Sequence, residues 1–104
     1  MSHLQLRDVV RFSSEDHSPY LFHDTESFKS LVVGFEPGQG TPLHPAGPAT
    51  YYVVEGEGWI TEDKTRHEVK PGSMVVVGGG VQRRIEAKTR LIILAARGGQ
   101  PIAP

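Results

Sequence analysis

Short apolar runs separated by glycine and proline are the feature that most constrains this chain. Three runs, residues 51–54, 74–77 and 91–94, are apolar at successive positions. Successive side chains of a β-strand point to opposite faces, so both faces of these strands must be covered. A barrel interior covers one face, and a second copy of the chain can cover the other. We therefore expect a homodimer; the alternative is a monomer in which segment 1–30 provides the cover.

The 12 glycines and 8 prolines are typical of an all-β sandwich or barrel. No window of a dozen residues has the 3.6-residue period of a helix, although residues 13–18 could form one helical turn. Turns are predicted at 36–41, 62–64, 70–72 and 78–80. Strands are predicted near residues 8–12, 28–35, 50–55, 58–62, 65–69, 73–77, 81–86 and 89–96.

Composition narrows the class of protein further. A length of 104 residues predicts one domain, 1–104, with a loosely held tail at 97–104. The net charge of -1, with basic residues scattered apart from Arg83 and Arg84, does not favour a nucleic-acid partner. The lack of cysteine excludes disulfides and thiolate metal sites. The chain has no signal-like N-terminus and no apolar run near the ~20 residues that span a bilayer. We expect a cytoplasmic protein with no membrane partner.

Two stretches of the chain resemble the sequence motifs of the cupin superfamily. Residues 34–58 contain a Pro-Gly turn, a histidine between prolines, and a Tyr-Tyr-Val-Val-Glu-Gly-Glu-Gly run. Residues 67–85 contain Lys-Pro-Gly-Ser-Met-Val-Val-Val and a glycine turn, as in the second motif. The resemblance extends over residues 28–96. It implies a small single-domain cupin with an RmlC-like jelly roll, a double-stranded β-helix barrel. Many cupins dimerise, which agrees with the strands that are apolar on both faces.

The positions that hold a divalent metal in this family carry different residues here. By the resemblance, the two histidines of the first motif correspond to His44 and Ala46, and its glutamate corresponds to Ala49 or Thr50. The histidine of the second motif corresponds to Arg83. The loop is one residue short, so His44 could instead take the second histidine position, with Pro42 at the first. Either alignment keeps one ligand of four, and arginine has no acceptor atom for a metal. We therefore expect no metal and no other cofactor.

Arg83 is the most informative of these replacements. Strand alternation sends Val81, Arg83 and Ile85 into the barrel, and Gln82 and Arg84 outward. An arginine inside an apolar barrel must be paired or must line a solvated pocket. Its planar guanidinium suits a carboxylate or a phosphate. Two interpretations stay open. Arg83 receives the anionic group of a ligand, or it bends to the rim and pairs with Glu55, Glu57 or Glu86.

Three further residues join Arg83 in the predicted ligand-binding set: His44, Tyr51 and His67. Tyr51 and Tyr52 lie on opposite strand faces, so one of them could offer a hydroxyl to the pocket. His67 shares a strand face with Val69; the alternative is a partly exposed strand histidine. The remaining histidines lie outside both motifs and are expected at the surface: His3, His17 and His23.

The main functional hypothesis is a small-molecule-binding cupin with a degenerate, metal-free site that takes an anionic ligand. One alternative is a metal-independent isomerase or epimerase in which His44 is the catalytic base. Another is a divalent-metal enzyme of the dioxygenase type with a reduced ligand set that includes His44 and His67. A last alternative is a structural protein whose barrel is packed shut. The sequence leaves open whether the protein is an enzyme.

Overall fold

The structure, a computed structural model, describes residues 3–99. This part of the chain forms two antiparallel sheets, one with strand order β1-β2-β9-β4-β7 and one with order β3-β8-β5-β6. The elements are α1 Leu6–Val9, β1 Ser18–Asp24, β2 Phe28–Phe35, β3 His44–Pro45, β4 Ala49–Glu55, β5 Gly58–Glu62, β6 Thr65–Val69, β7 Met74–Val77, β8 Gln82–Ala87 and β9 Leu91–Gly98. The two sheets pack face to face, which confirms the predicted all-β jelly roll.

The hydrophobic core lies between the sheets and follows the two-residue period of the strands. On β4, Tyr51 and Val53 are buried whereas Tyr52 is 39% exposed. On β8, Arg83 and Ile85 are buried, and their neighbours along the strand are exposed or partly exposed. Because paired residues of neighbouring strands share a face, these side chains form the inner wall of the barrel.

Strand register brings the predicted site residues to one region of that inner wall. His44 on β3 pairs with Arg83 on β8. Tyr51 on β4 pairs with Ala95 on β9, which in turn pairs with Leu31 on β2. The site therefore receives side chains from both sheets.

The N-terminal segment, through Arg11 and Phe12, covers one end of the outer face of the five-stranded sheet. The carbonyl oxygen of Arg11 and the ring of Phe12 lie directly over Gly34. A Cβ added at position 34 would approach the Arg11 oxygen to 2.2 Å, so this close contact requires glycine. On the same face, Val32 and Ile92 are buried. The N-terminal segment thus provides part of the cover that the sequence assigns either to segment 1–30 or to a second copy.

Arg90 holds this segment against the barrel. Its guanidinium lies 3.9 Å from the centre of the Phe12 ring, a cation–π contact. The same group donates to both carboxylate oxygens of Glu36, at 2.9 and 3.1 Å. These hydrogen bonds lower the pKa of Glu36 below its ordinary value.

The other end of this outer face is open and apolar. Tyr52, Met74 and Val76 are 39%, 58% and 64% exposed. They are neighbours, because Tyr52 pairs with Met74 and Thr50 pairs with Val76. We call Tyr52, Met74 and Val76 the outer strip.

The predictions for the N-terminal part of the chain are wrong in several places. Residues 8–12 form the end of α1 and irregular chain instead of the predicted strand. A bend at 14–16 replaces the helical turn predicted within 13–18, and strand β1 is not predicted. β1 is an edge strand that contains a proline and is largely exposed, so it carries little of the alternation that marks a strand. Residues 97–98 belong to β9, which corrects the loose tail there, and residues 100–104 lie outside the described residues. No helix within residues 3–99 has the length and apolar character needed to cross a membrane.

Candidate functional site

A cavity of about 330 Å³ lies between the sheets, and its walls come from both of them. The apolar part of its lining consists of Pro19, Leu31, Val33, Phe35, Pro42, Ile85 and Ala95. The polar part consists of His17, Thr41, His44, Tyr51, Arg83 and Arg97. Three of the four predicted site residues, His44, Tyr51 and Arg83, therefore share this cavity.

Arg83 is 1% exposed, and its guanidinium is surrounded by hydrogen-bond acceptors. Nη1 donates to the Gly47 carbonyl at 2.8 Å and to the Tyr51 hydroxyl at 3.3 Å. Nη2 donates to the carbonyls of Ala46 at 3.0 Å, Gly78 at 3.1 Å and Val81 at 2.9 Å. Nε donates to the Val81 carbonyl at 3.1 Å. A guanidinium has five N–H donors, so these acceptors satisfy all of them. The side chain is held in place by the backbone.

These bonds join two loops, residues 46–47 and 78–81. The N–H of Gly80 reinforces the junction by donating to the Ala46 carbonyl at 2.8 Å. The glycine at position 47 is required, because an added Cβ would lie 2.3 Å from the carbonyl oxygen of Gly98. Arg83 therefore acts as a cross-link between the loops, which we call the Arg83 clamp.

The predicted pairing of Arg83 with a rim glutamate is wrong. Among the described residues, no carboxylate lies within 4.0 Å of its guanidinium. Glu55 accepts instead from Arg7 at 2.8 Å, and Glu86 lies 3.5 Å from Arg66. Backbone carbonyls close to the Arg83 nitrogens satisfy the same donors without moving the side chain out of the barrel.

His44 lines the cavity with one ring nitrogen fixed. Its Nδ1 lies 2.7 Å from the carbonyl oxygen of Pro42. A carbonyl can only accept, so Nδ1 carries the proton and donates it. In the neutral ring, Nε2 is then the basic nitrogen. A backbone carbonyl, rather than an acidic side chain, therefore orients His44.

His17 also lines the cavity, which corrects its predicted place at the surface. Its ring stacks on Phe35 with 5.5 Å between centroids, and its Nδ1–H donates to Asp16 Oδ1 at 2.8 Å. The hydrogen bonds from His17 lower the pKa of Asp16 below its ordinary value. Because strand β1 was not foreseen, nothing in the sequence indicated that the residue just before it faces inward.

The structure does not bring His67 to this cavity, which corrects its assignment as a pocket residue. It shares the inner face of the sheet with Ile60, but it lies on the edge strand β6. Its Nε2 lies 2.9 Å from Glu62 Oε1, and both residues line a separate groove between β6 and β7. His3 and His23 are exposed, as expected.

The family model for the cupin domain matches residues 31–96 of this chain. The chain belongs to the cupin family. This match includes most of strands β2 to β9. It therefore contains every cavity-lining residue except His17, Pro19 and Arg97. The comparison with curated proteins found no match.

Solved structures show the same fold. An RmlC-like cupin protein from Desulfovibrio desulfuricans is 26% identical, with a TM-score of 0.84, and the match covers 94% of this chain and 96% of that one. A conserved protein of unknown function from Streptococcus pyogenes is 20% identical, with a TM-score of 0.86 over 98% and 90% of the two chains. The salicylate 1,2-dioxygenase of Pseudoaminobacter salicylatoxidans is 16% identical, with a TM-score of 0.74 over 82% of this cupin and 27% of the dioxygenase.

The residues present do not fit the divalent metal that this family usually holds. Among residues 3–99, no three His, Cys, Asp or Glu side chains are grouped so that they could hold a metal ion. Ala46 and Ala49 are buried without a ligating side chain, and Arg83 carries a positive charge close to Ala46. His44 keeps its basic nitrogen but has no second ligand from the family set.

We predict that the Arg83 clamp is a major source of stability. Arg83→Met should lower the free energy of unfolding by about 3 kcal/mol or more, because each buried carbonyl left without a donor costs about 1–3 kcal/mol. The free energy of unfolding of Arg83→Lys should lie between those of the wild type and Arg83→Met, because an ammonium has three donors at one point. Urea denaturation followed by circular dichroism measures these differences. Arg84→Met, an exposed neighbour, should change the value by less than about 0.5 kcal/mol. Equal stability of Arg83→Met and Arg84→Met would contradict the clamp.

Proposed function

We propose that this cupin binds a small molecule with an apolar body and an anionic group in the cavity between its sheets, without a metal. The observation that carries the proposal is the composition of the lining. Four of the lining residues are basic. Within residues 3–99, no Asp or Glu lines the cavity. The basic residues are His17, His44, Arg83 and Arg97.

Electrostatics supports an anionic ligand. Arg83 holds a full positive charge that is buried and has no carboxylate within 4.0 Å among residues 3–99. Carbonyl dipoles stabilise that charge but do not cancel it, so the potential in the cavity is positive. The carboxylate of Asp16 is held behind the ring of His17 and reduces the potential at that end. The electrostatic attraction between an anion and this potential is stronger in the cavity than it would be in water, because the local dielectric constant is lower.

The apolar lining supports a ligand with an apolar body. The apolar part of the lining includes Leu31, Val33, Phe35, Ile85 and Ala95. The cavity volume lies within the range of small-molecule pockets, about 300–1,000 Å³. This open space argues against a structural protein with a barrel packed shut.

We predict that filling the cavity abolishes ligand binding. Ala95 lies on the inner face of β9 and lines the cavity, whereas Ala96 lies on the opposite face. Ala95→Leu places three extra carbons in the cavity and should abolish binding of phenylbutyrate, measured by saturation-transfer NMR and calorimetry. Ala96→Leu adds the same atoms outside the cavity and should leave binding unchanged.

Overpacking a core costs about 1–3 kcal/mol, so both variants need circular dichroism spectra like that of the wild type. Should Ala95→Leu unfold, the smaller Ala95→Val takes its place, with Ala96→Val as its control. The proposal would be refuted if the variants at positions 95 and 96 bind phenylbutyrate equally well, or if the wild type does not bind it.

A second candidate is metal-independent proton transfer, as in an isomerase or epimerase. It is favoured by the Pro42 carbonyl, which leaves Nε2 of His44 as the basic nitrogen in a cavity that also contains the Tyr51 hydroxyl. In this reaction His44 would remove a proton next to a carbonyl group. The Tyr51 hydroxyl accepts from Arg83 Nη1 at 3.3 Å, so its own proton is free to be donated to the substrate oxygen.

For this candidate, we predict that the protein accelerates exchange of the methylene protons of phenylpyruvate in heavy water. A positioned general base contributes about 10²–10⁴-fold, so an acceleration of at least about 100-fold is expected by proton NMR. His44→Gln should remove it, and His23→Gln, at an exposed position, should not. Exchange that is unaffected by His44→Gln would exclude His44 as the base.

The dioxygenase alternative has less support. It relied on His44 and His67 as metal ligands, and only His44 lines the cavity. The similarity to the salicylate dioxygenase, at 16% identity, concerns the fold.

We also propose that the protein is a homodimer in which the outer strip of one copy packs against that of another. The strip is apolar, lies on the outer face of β4 and β7, and is not covered by residues 3–17. Exposed contiguous apolar patches of this kind mark protein interaction sites.

We predict that Met74→Glu changes the mass measured by light scattering after gel filtration from that of two chains to that of one. The charge would be buried without a partner in the dimer, which is strongly unfavourable. Leu43→Glu is the matched control, since Leu43 is 49% exposed and lies outside the strip. A wild-type mass of one chain at all concentrations would refute the dimer.

A further inference from the structure

We infer that Arg97, rather than Arg83, makes the direct contact with the anionic group of the ligand, and that this group is a carboxylate. The inference rests on the proposed function and adds to it the anchoring residue and the ligand class. Arg97 lies near the end of β9, lines the cavity, and belongs to neither of the sequence motifs.

Strand register places Arg97 on the inner face of its sheet. It pairs with Ala49 on β4 and Lys29 on β2. Ala49 is 5% exposed and belongs to the core cluster, so the face that it shares with Arg97 points into the barrel. Arg97 itself is partly buried.

The cations near the cavity differ in whether their donors are already used. The donors of Arg83 are all satisfied by carbonyls and the Tyr51 hydroxyl. Lys29, beside Arg97, forms an ion pair with Asp24. Within residues 3–99, the guanidinium of Arg97 donates no hydrogen bond and has no carboxylate within 4.0 Å. Arg97 is therefore the cavity guanidinium that can donate to a ligand without giving up a bond in the protein.

The length of the cavity gives the shape of the ligand. Arg97 pairs with Lys29, and Phe35 pairs with Leu91, six residues farther along the same two strands. At about 3.3 Å per residue, these two levels are about 20 Å apart. Leu31 and Val33 line the cavity between them. A fitting ligand is thus elongated, with its anionic group at Arg97 and its apolar body directed along Leu31 and Val33 toward Phe35.

One free guanidinium favours a carboxylate over a phosphate. A guanidinium presents two parallel N–H groups that match the two oxygens of a carboxylate. A phosphate monoester carries more charge and three acceptor oxygens, which the two parallel N–H groups of one guanidinium do not satisfy. The ligand class is therefore an apolar monocarboxylate.

The test compares three probes with the same apolar body: phenylbutyrate, phenylbutanol and phenylbutyl phosphate. Their dissociation constants are measured by calorimetry for the wild type, Arg97→Met, Arg97→Lys and Lys29→Met. Arg97→Met removes the charge and keeps the length of the side chain, and Arg97→Lys keeps the charge without the fork. Lys29→Met removes a charge at the same end of the sheet that already has a partner.

We expect the wild type to bind phenylbutyrate more tightly than the other two probes. Arg97→Met should weaken phenylbutyrate about 10- to 100-fold, as for the loss of a charged hydrogen bond, and leave phenylbutanol unchanged. The dissociation constant of Arg97→Lys for phenylbutyrate should lie between those of the wild type and Arg97→Met. Lys29→Met should change this constant less than about threefold, as for the loss of an exposed ion pair.

The other outcomes separate the two proposals. If the wild type prefers phenylbutyrate and Arg97→Met keeps that preference, the inference about Arg97 is overturned while the proposed function stands. If phenylbutyl phosphate is preferred and Arg97→Met removes that preference, the anchor stands and the carboxylate class is overturned. If the wild type binds none of the probes, the proposed function fails, and this inference fails with it.

Discussion

The Arg83 guanidinium is the interaction on which the rest of this structure depends. It is buried in the barrel, and its donors are divided among backbone carbonyls of two loops that are far apart in the sequence. A buried ion without compensation is very costly, so these loops and the arginine must be ordered together. Arg83, which lines the cavity, is therefore fixed by carbonyl dipoles of these two loops.

This arrangement separates two tasks that one arginine could have combined. Arg83 brings a buried positive charge to the cavity and joins two loops, but none of its N–H groups is left for a ligand. The proposed contact falls to Arg97, at the end of a strand that is otherwise apolar. Two histidines that line the cavity, His17 and His44, each have one ring nitrogen fixed by a neighbouring oxygen. The polar groups are thus oriented before any ligand arrives, which reduces the entropy lost on binding.

The sequence predicts the barrel well and the site in part. Alternation places Arg83 and Ile85 inside, and the glycine and proline turns separate β2 and β4 to β9 nearly as found, whereas the two-residue strand β3 is not predicted. The contacts of Arg83 could not be foreseen, because its acceptors are carbonyls, and every residue has a carbonyl whatever its side chain. His17 was missed for a different reason. Its inward position depends on an edge strand with mostly exposed residues, and such a strand leaves a weak pattern.

The saturation of Arg83 also limits how this scaffold can change. Replacing the arginine by histidine would supply one imidazole, but it would remove the donors that the guanidinium gives to the carbonyls of Ala46, Gly47 and Gly78. The alanines at positions 46 and 49 would still offer methyl groups in place of ligands. No single substitution along this route gives both a stable barrel and a working metal centre. Conversion would require new ligands beside His44 and, at the same time, new donors for the carbonyls that Arg83 now serves.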